Sequence, residues 1–325
     1  MRAVRYAYLT AILLATATLH GQSKTIAITF DDLPVSTIGP DFSAGSQAKA
    51  TAITTSILTT LKAHHAPAIG MVNEKKLHEG GLPSGAINVD RAALLDQWVT
   101  NGRSLGNHSF SHLHLSEISL DKAEQELLEN ETVSAPAMQK RTWKYHYYRY
   151  PFNDTGGSEE KKKSYEAILA KHGYSIAPMT IQNDDWMYNV VYDAPVRPSA
   201  DEQKKLRDAY LEETNRQIEF TEKLTAELFH RQIPQVLLIH ANQLNADTLD
   251  ATLKAFETHG YTFVALYDAL QDKAYKTPDL YYGPNGVSWL ERWRITLQKQ
   301  QPNFVETPQA QQWVQAAYKT ATAKK

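Results

Sequence analysis

The chain has 325 residues, 42% of them hydrophobic and 22% charged, so it is long enough to bury a large core. Its formal net charge of -2 gives no basic excess, and we expect no nucleic-acid partner, whereas a neutral polysaccharide is compatible with it. Because the chain contains no cysteine, disulfides and thiolate metal sites are excluded.

The N-terminus predicts a secretory signal peptide over residues 1–21. It has two arginines, an apolar run from Ala7 to Ala17, and small residues before Gln22. The run is too short to span a bilayer, so we expect a secreted or periplasmic protein with no stable membrane insertion after signal removal. An uncleaved N-terminal anchor is the alternative.

The next part of the chain alternates short β-forming runs with longer amphipathic stretches, which predicts an α/β fold on a mainly parallel sheet. Helical patterns at 90–100 and 247–259 lie between strands. Seven segments are candidate strands: 24–30, 67–72, 103–107, 145–150, 174–179, 235–240 and 261–265.

A long charged segment at about 200–231 is predicted to be a helix inserted between two strands. Its expected buried stripe consists of Leu206, Leu211, Ile218, Leu224 and Leu228. After Gln271 a Tyr, Pro and Gly segment is followed by two helical patterns. We therefore predict a main domain at 22–270 and a helical C-terminal extension at 271–325.

Two adjacent carboxylates, Asp31 and Asp32, follow the first predicted strand. Paired acids suit metal binding or general-base catalysis, and in a barrel the carboxyl ends of the strands carry the active site. On this dipeptide alone, a turn with an Asx cap is the plainer interpretation.

Two histidines, His108 and His112, are four residues apart, a spacing that would put both imidazoles on one face of a helical turn. With one carboxylate they would make a three-ligand metal site with open positions. The chain has 12 histidines, so an ordinary polar pair stays open as the alternative.

Three more segments carry polar or aromatic side chains at predicted strand ends. They contain Arg149, the pair Asp185 and Trp186, and His240 after an apolar run. Each could be structural by itself. Five such segments at one edge of a sheet favour a shared site.

The segments TFDD, HSFSH, RYP, DDW and LLIH, in this order, resemble the five motifs of the polysaccharide deacetylase family (NodB homology, carbohydrate esterase family 4). The resemblance spans residues 29–240 and implies a distorted (β/α) barrel. It also implies removal of acetyl groups from an acetylated polysaccharide or oligosaccharide with a divalent metal, zinc by default and cobalt, nickel or manganese otherwise.

By the same resemblance, a metal site and a base can be assigned. Asp32, His108 and His112 would bind the metal. Asp31 would be the general base, and Arg149 would orient it and favour its ionised form.

The resemblance further implies an acid and a substrate pocket. His240 would be the general acid, and Asp185 would hold its imidazole and raise its pKa. Trp186 and Leu238 would wall the acetyl pocket, and a backbone N–H near residues 149–150 would bind the oxyanion. The pocket would also include Tyr150 and Pro151.

Two positions depart from the family pattern without removing a ligand, base or acid. Asn153 stands where the third motif usually has glycine, and Gln182 where the fourth often has aspartate. They affect the rim, and therefore whether peptidoglycan, a chitin-type oligomer or an O-acetylated xylan fits.

Two other classes of function are alternatives, a serine esterase and a non-catalytic glycan-binding protein. Ser104 lies in a G-x-S-x-G pattern, but a helical pattern precedes it and a strand follows, the reverse of a serine-esterase elbow, and Gly102 suits a helix C-cap. A non-catalytic glycan-binding protein would keep the fold without the reaction.

Overall fold

The computed structural model describes residues 24–36, 43–194, 198–284, 286–303 and 305–323. The predicted signal peptide at 1–21 lies outside these residues. Within them, no helix combines the length and apolar character needed to cross a membrane.

The described residues form one parallel sheet of eight strands, in the order β5-β4-β3-β2-β1-β7-β6, with β8 paired to the start of β1. β1 is buried along most of its length, as expected for a strand with helices on both sides. The strands are β1 Lys24–Leu33, β2 Ala68–Val72, β3 Ser104–Asn107, β4 Tyr147–Tyr148, β5 Ser175–Ile176, β6 Ile181–Gln182, β7 Gln235–His240 and β8 Tyr261–Val264.

The sheet curls into an incomplete barrel. β5 and β6 lie at opposite ends of the strand order, yet only residues 177–180 connect them. Since a chain extends by at most about 3.5 Å per residue, these edges lie within roughly 18 Å of each other. The predicted distorted (β/α) barrel is therefore confirmed.

Helices surround the sheet, and several begin at a side-chain cap. Ser199 and Glu202 form a capping box at the start of the helix Ala200–Phe229, α7. This helix coincides closely with the predicted insertion at about 200–231. The helices are α1 Ala44–Ala63, α2 Val89–Thr100, α3 Leu120–Glu129, α4 Ser134–Gln139, α5 Glu159–Lys171, α6 Asp185–Tyr192, α7 Ala200–Phe229, α8 Gln243–Thr258, α9 Leu266–Ala269, α10 Trp289–Gln298 and α11 Gln312–Thr322. Of the five residues expected to form the buried stripe of α7, four are buried and Leu211 is half-buried.

The largest core cluster packs α1, α2 and α8 against the sheet. Trp98 of α2 is fully buried and meets the ring of Phe30 edge-on at 5.3 Å between centroids. Phe30 directly precedes Asp31, so this packing fixes the end of β1 at which the acidic pair lies.

The sheet differs from the prediction at its open edges. β4 and β5 pair over two residues each, although the sequence suggested about six, and β6 was not predicted. Tyr148 packs in an aromatic cluster with Tyr165 and Tyr174, which accounts for the β-type residues beyond the paired ones. Trp289 and Trp293 of the extension share a core with Met179, so the boundary at 270 stays a prediction.

Candidate active site

The carboxyl ends of β1, β3 and β7 meet at one cavity of about 590 Å³. β1 changes register between Phe30 and Leu33, and Asp32 has a φ of 69°. Neighbouring side chains of a regular strand point to opposite faces. This irregularity is what allows Asp31 and Asp32 to line the same cavity, beside His108, His112 and His240.

Asp32, His108 and His112 form a cluster that could hold a metal ion. One ligand atom from each lies within 4.8 Å of the others, and Asp32 Oδ1 is 3.9 Å from His108 Nε2 and 3.7 Å from His112 Nε2. Ligand bonds of about 2.0–2.2 Å put the ligand atoms of a tetrahedral zinc ion roughly 3.4 Å apart, so this donor set fits after small shifts.

The protonation state of both imidazoles, and the orientation of the His108 ring, are compatible with metal binding. His108 Nδ1 hydrogen-bonds the carbonyl of Arg149 at 2.8 Å, which leaves Nε2 as the free nitrogen. Burial lowers the pKa of His108 to about 4 and that of His112 to about 3, more than the Asp32 carboxylate raises them. Both rings are therefore neutral near pH 7, the form that binds metal.

The expectation that these histidines share a helical turn was wrong. Ser109 and His112 have positive φ values of 65° and 57°, and the segment is a loop. Glu126 holds the loop by accepting hydrogen bonds from the Ser109 hydroxyl at 3.2 Å and from the Ser111 N–H at 2.6 Å. The buried carboxylate of Glu126 thus stabilises a loop that brings His108 and His112 together, as the predicted helical turn was expected to do.

Asp31 is buried against Arg149, whose guanidinium lies 3.4 Å from Asp31 Oδ2. Arg149 also donates to the Ala177 carbonyl at 2.7 Å and to Thr29 Oγ1 at 3.1 Å, so its orientation is fixed. Burial raises the pKa of Asp31 more than the charge of Arg149 lowers it. Among the described atoms, Asp31 Oδ1 has no hydrogen-bond partner, so one oxygen remains available in the cavity.

His240 is held by Asp185, the first residue of α6. Asp185 Oδ1 lies 2.8 Å from His240 Nδ1, and Oδ2 accepts from the His240 N–H at 2.9 Å. The amides of Asn242 and Asn245 donate to the same Oδ2 at 2.9 and 2.6 Å. Burial lowers the pKa of His240, but the charge and hydrogen bond of Asp185, together with the charges of Asp32 and Asp31, outweigh burial and raise it to about 9. His240 is therefore protonated near pH 7.

The walls of the cavity match the sequence expectation only in part. Trp186 and Leu238 line it, with 42% of Trp186 exposed. Tyr150 and Pro151 are buried, and their side chains are not among its lining residues. The ring of Tyr150 packs edge-on against Tyr148 instead.

Asn153 occupies a left-handed backbone position, with a φ of 52°. This conformation explains why glycine suits the position and why asparagine is tolerated there. Both Asn153 and Gln182 line the cavity, so the two departures lie at the site.

Sequence reasoning missed the aromatic part of this rim. Phe152, with a φ of 55° and 43% exposed, stacks on His114 at 3.7 Å and meets His112 edge-on at 4.3 Å. Because Phe152 directly follows the RYP segment, its place at the rim could have been predicted from the sequence. Tyr318, from the far end of the chain, also lines the cavity, and the sequence carried no signal for it.

Lys76 is a cation beside the acidic pair that the sequence did not indicate. Its ammonium donates to the backbone carbonyl of Asp32 at 2.9 Å and lies 3.6 Å from Asp32 Oδ1. Burial raises the pKa of Asp32, but Lys76 and the nearby histidines outweigh burial and lower it, so Asp32 is ionised.

Ser104 begins β3, at the strand end opposite to His108, and is not among the cavity-lining residues. Gly102 has a φ of 79° just after α2, as a glycine ending a helix does. The serine-esterase alternative therefore lacks a site.

A family model described as polysaccharide deacetylase matches residues 19–186. The chain belongs to this family. An uncharacterized 30.6 kDa protein of Geobacillus stearothermophilus is 29% identical over 189 residues, which cover 58% of this chain and 58% of that relative. The match thus spans less than two thirds of the relative.

Solved structures of the family share the fold. Bc1974, a polysaccharide deacetylase from Bacillus cereus, is 21% identical with a TM-score of 0.50, covering 74% of this chain and 92% of its own. A mutant of the Bacillus anthracis CE4 pseudoenzyme BA3943 with restored enzymatic activity is 18% identical with a TM-score of 0.51, covering 77% and 69%. The fold therefore occurs both with and without activity.

Proposed function

We propose that this protein is a metal-dependent hydrolase that removes acetyl groups from an acetylated glycan. The main support for the proposal is one cavity that is lined by side chains from three groups. They are the Asp32, His108 and His112 cluster, the Asp31–Arg149 pair and the His240–Asp185 pair. A glycan-binding protein without activity would not need all three.

Asp32, His108 and His112 would hold the metal, with zinc as the default for two imidazoles and a carboxylate, and cobalt, nickel and manganese as alternatives. When bound, the ion would supply Lewis-acid activation of the acetyl carbonyl and of a water molecule.

Asp31 would take the proton of the attacking water on its unpartnered Oδ1. Its raised pKa makes it a stronger base than an ordinary carboxylate, and Arg149 holds it in place. The family resemblance implies an oxyanion donor among the backbone N–H groups of residues 149–150; because the Arg149 N–H already donates to the Asn107 carbonyl at 2.9 Å, the Tyr150 N–H would be that donor.

His240 would protonate the leaving group. An amine leaves an acyl carbon only when protonated, and an imidazolium held by Asp185 with a pKa near 9 is charged at neutral pH. This supports an N-acetylated sugar, as in chitin oligomers or peptidoglycan, over O-acetylated xylan, whose alcohol leaves more easily. We also infer export of the protein from its first 21 residues.

The test is acetate release by the purified protein from chitin oligomers, peptidoglycan and acetylated xylan. We expect release from an N-acetylated substrate, and loss of that release in His240→Asn. Release from xylan alone would assign an esterase. Binding of these glycans without release from any would favour the non-catalytic protein.

A further inference from the structure

The C-terminal extension reaches the active-site cavity through α11. Ala310 and Val314 lie in a buried cluster with Tyr188 of α6, and the Ala310 N–H donates to Asp184 Oδ2 at 3.2 Å. Residues four apart share a face of a helix, so the face that carries Val314 onto α6 also carries Tyr318. α6 is the helix that begins with Asp185 and Trp186.

Tyr318 and Trp186 meet at the cavity. Their rings are 5.3 Å apart at an angle of 90°, and both line the cavity. Two aromatic rings at right angles, both accessible from the same cavity, form a corner in which a flat apolar face can rest.

The neighbouring lining residues define what this corner would accept. Gln182 offers an amide donor and acceptor, whereas Asn189 can offer only its Nδ2, because its Oδ1 already accepts from the Leu244 N–H at 3.0 Å. Asp184 also lines the cavity. No lysine or arginine lines the cavity within the described part of the chain. An uncharged pyranose has the matching chemistry, with a C–H face for the rings and hydroxyls for the amides. An anionic sugar would find no lysine or arginine there to pair with.

The extension is anchored at the other side of the cavity as well. Arg292 of α10 is fully buried and donates to the Asn153 carbonyl at 2.8 Å and to the Val287 carbonyl at 2.8 Å. Pro284 and Gly286 line the cavity next to the loop of Phe152. The extension is therefore held against both the Phe152 loop and α6, so Tyr318 is presented by a fixed element.

We propose that Tyr318 and Trp186 form a subsite for an uncharged sugar unit next to the acetylated one. This inference rests on the proposed deacetylation. It assigns a role in substrate choice to the C-terminal extension, which lies outside the residues 19–186 that the family model matches.

The test compares Tyr318→Ala with wild type on chitin oligomers and on a small aryl acetate, which reaches only the acetyl position. Loss of one aromatic contact predicts about a tenfold lower kcat/KM on the oligomers, carried by KM, and unchanged kinetics on the aryl acetate. Tyr267→Ala is the matched control, because Tyr267 is 60% exposed and does not line the cavity. Tyr318→Leu keeps an apolar contact with Trp186 and repeats the test if the alanine variant is unstable.

Unchanged KM on the oligomers would overturn the subsite while leaving the deacetylase proposal standing. An equal loss on both substrates would also overturn it, since Tyr318 would then only support the fold. If the wild type releases no acetate, the proposed function fails. Calorimetric binding of chitin oligomers then decides: about tenfold weaker binding to Tyr318→Ala supports the subsite, and equal binding overturns it.

Discussion

Replacing Asp185 by Asn should change the pH dependence of the reaction. Burial lowers the pKa of His240, and the charge and hydrogen bond of Asp185, with smaller contributions from Asp32 and Asp31, raise it to about 9, whereas an unperturbed histidine has a pKa of 6.5. The raised value keeps His240 protonated until the pH approaches 9. In the variant, the two largest of these raising influences are lost, so we expect the pKa of His240 to fall toward its ordinary value and the acid to be lost at a lower pH.

The size of the effect follows from protonation alone. At about pH 8, a group with a pKa near 9 is roughly nine-tenths protonated, and one at 6.5 only about 3%, a thirtyfold difference. At about pH 6 the same two groups differ by less than about twofold. The loss of kcat/KM in Asp185→Asn should therefore be greater at pH 8 than at pH 6, by up to roughly twentyfold if the pKa of His240 falls to its ordinary value, whatever loss the altered hydrogen bonds add at both.

The assay is the pH profile of kcat/KM for acetate release from chitin oligomers by wild type and Asp185→Asn. Asp250→Asn, on the exposed side of α8, is the matched control and should follow the wild-type profile. A loss of the same size at both pH values would refute the reasoning, because Asp185 would then position His240 without tuning its proton.

Three further predictions concern stability and the alternative site. Arg149→Ala would leave Asp31 buried without its cation and should lower the free energy of unfolding by about 3–5 kcal/mol in denaturant titration, whereas a drop below about 1 kcal/mol would contradict a close pair. Trp98→Ala removes a buried ring packed on Phe30 and should lower the free energy of unfolding by about 3–5 kcal/mol in the same titration. An unchanged free energy of unfolding would contradict the packing of Trp98 against Phe30. Ser104→Ala should release acetate at the wild-type rate, and an inactive but folded variant would return Ser104 to consideration.

The sequence predicted well the elements whose residues are uniformly buried. β7 coincides with its predicted range 235–240 because a continuous apolar run in a parallel sheet is buried on both faces. β4, β5 and β6 pair over two residues each, and so short a pairing leaves no periodic pattern.

The candidate site was predictable where it depends on strand ends. The Asp31 and His240 positions pair in register, so their meeting follows from the sheet order. The loop that carries His108 and His112 could not be predicted, because its left-handed residues depend on the buried Glu126. Tyr318 was not predictable either, since its place depends on how α11 packs on α6.

In the proposed reaction, acetyl removal depends on a metal held by Asp32, His108 and His112. The most direct test is acetate release from chitin oligomers before and after chelator treatment and zinc addition, with His108→Ala alongside and the bound zinc measured in each sample. We predict that chelation stops release, that zinc restores it, and that His108→Ala neither binds zinc stoichiometrically nor releases acetate. Release that survives chelation, or that persists in a zinc-free His108→Ala protein, would contradict the account.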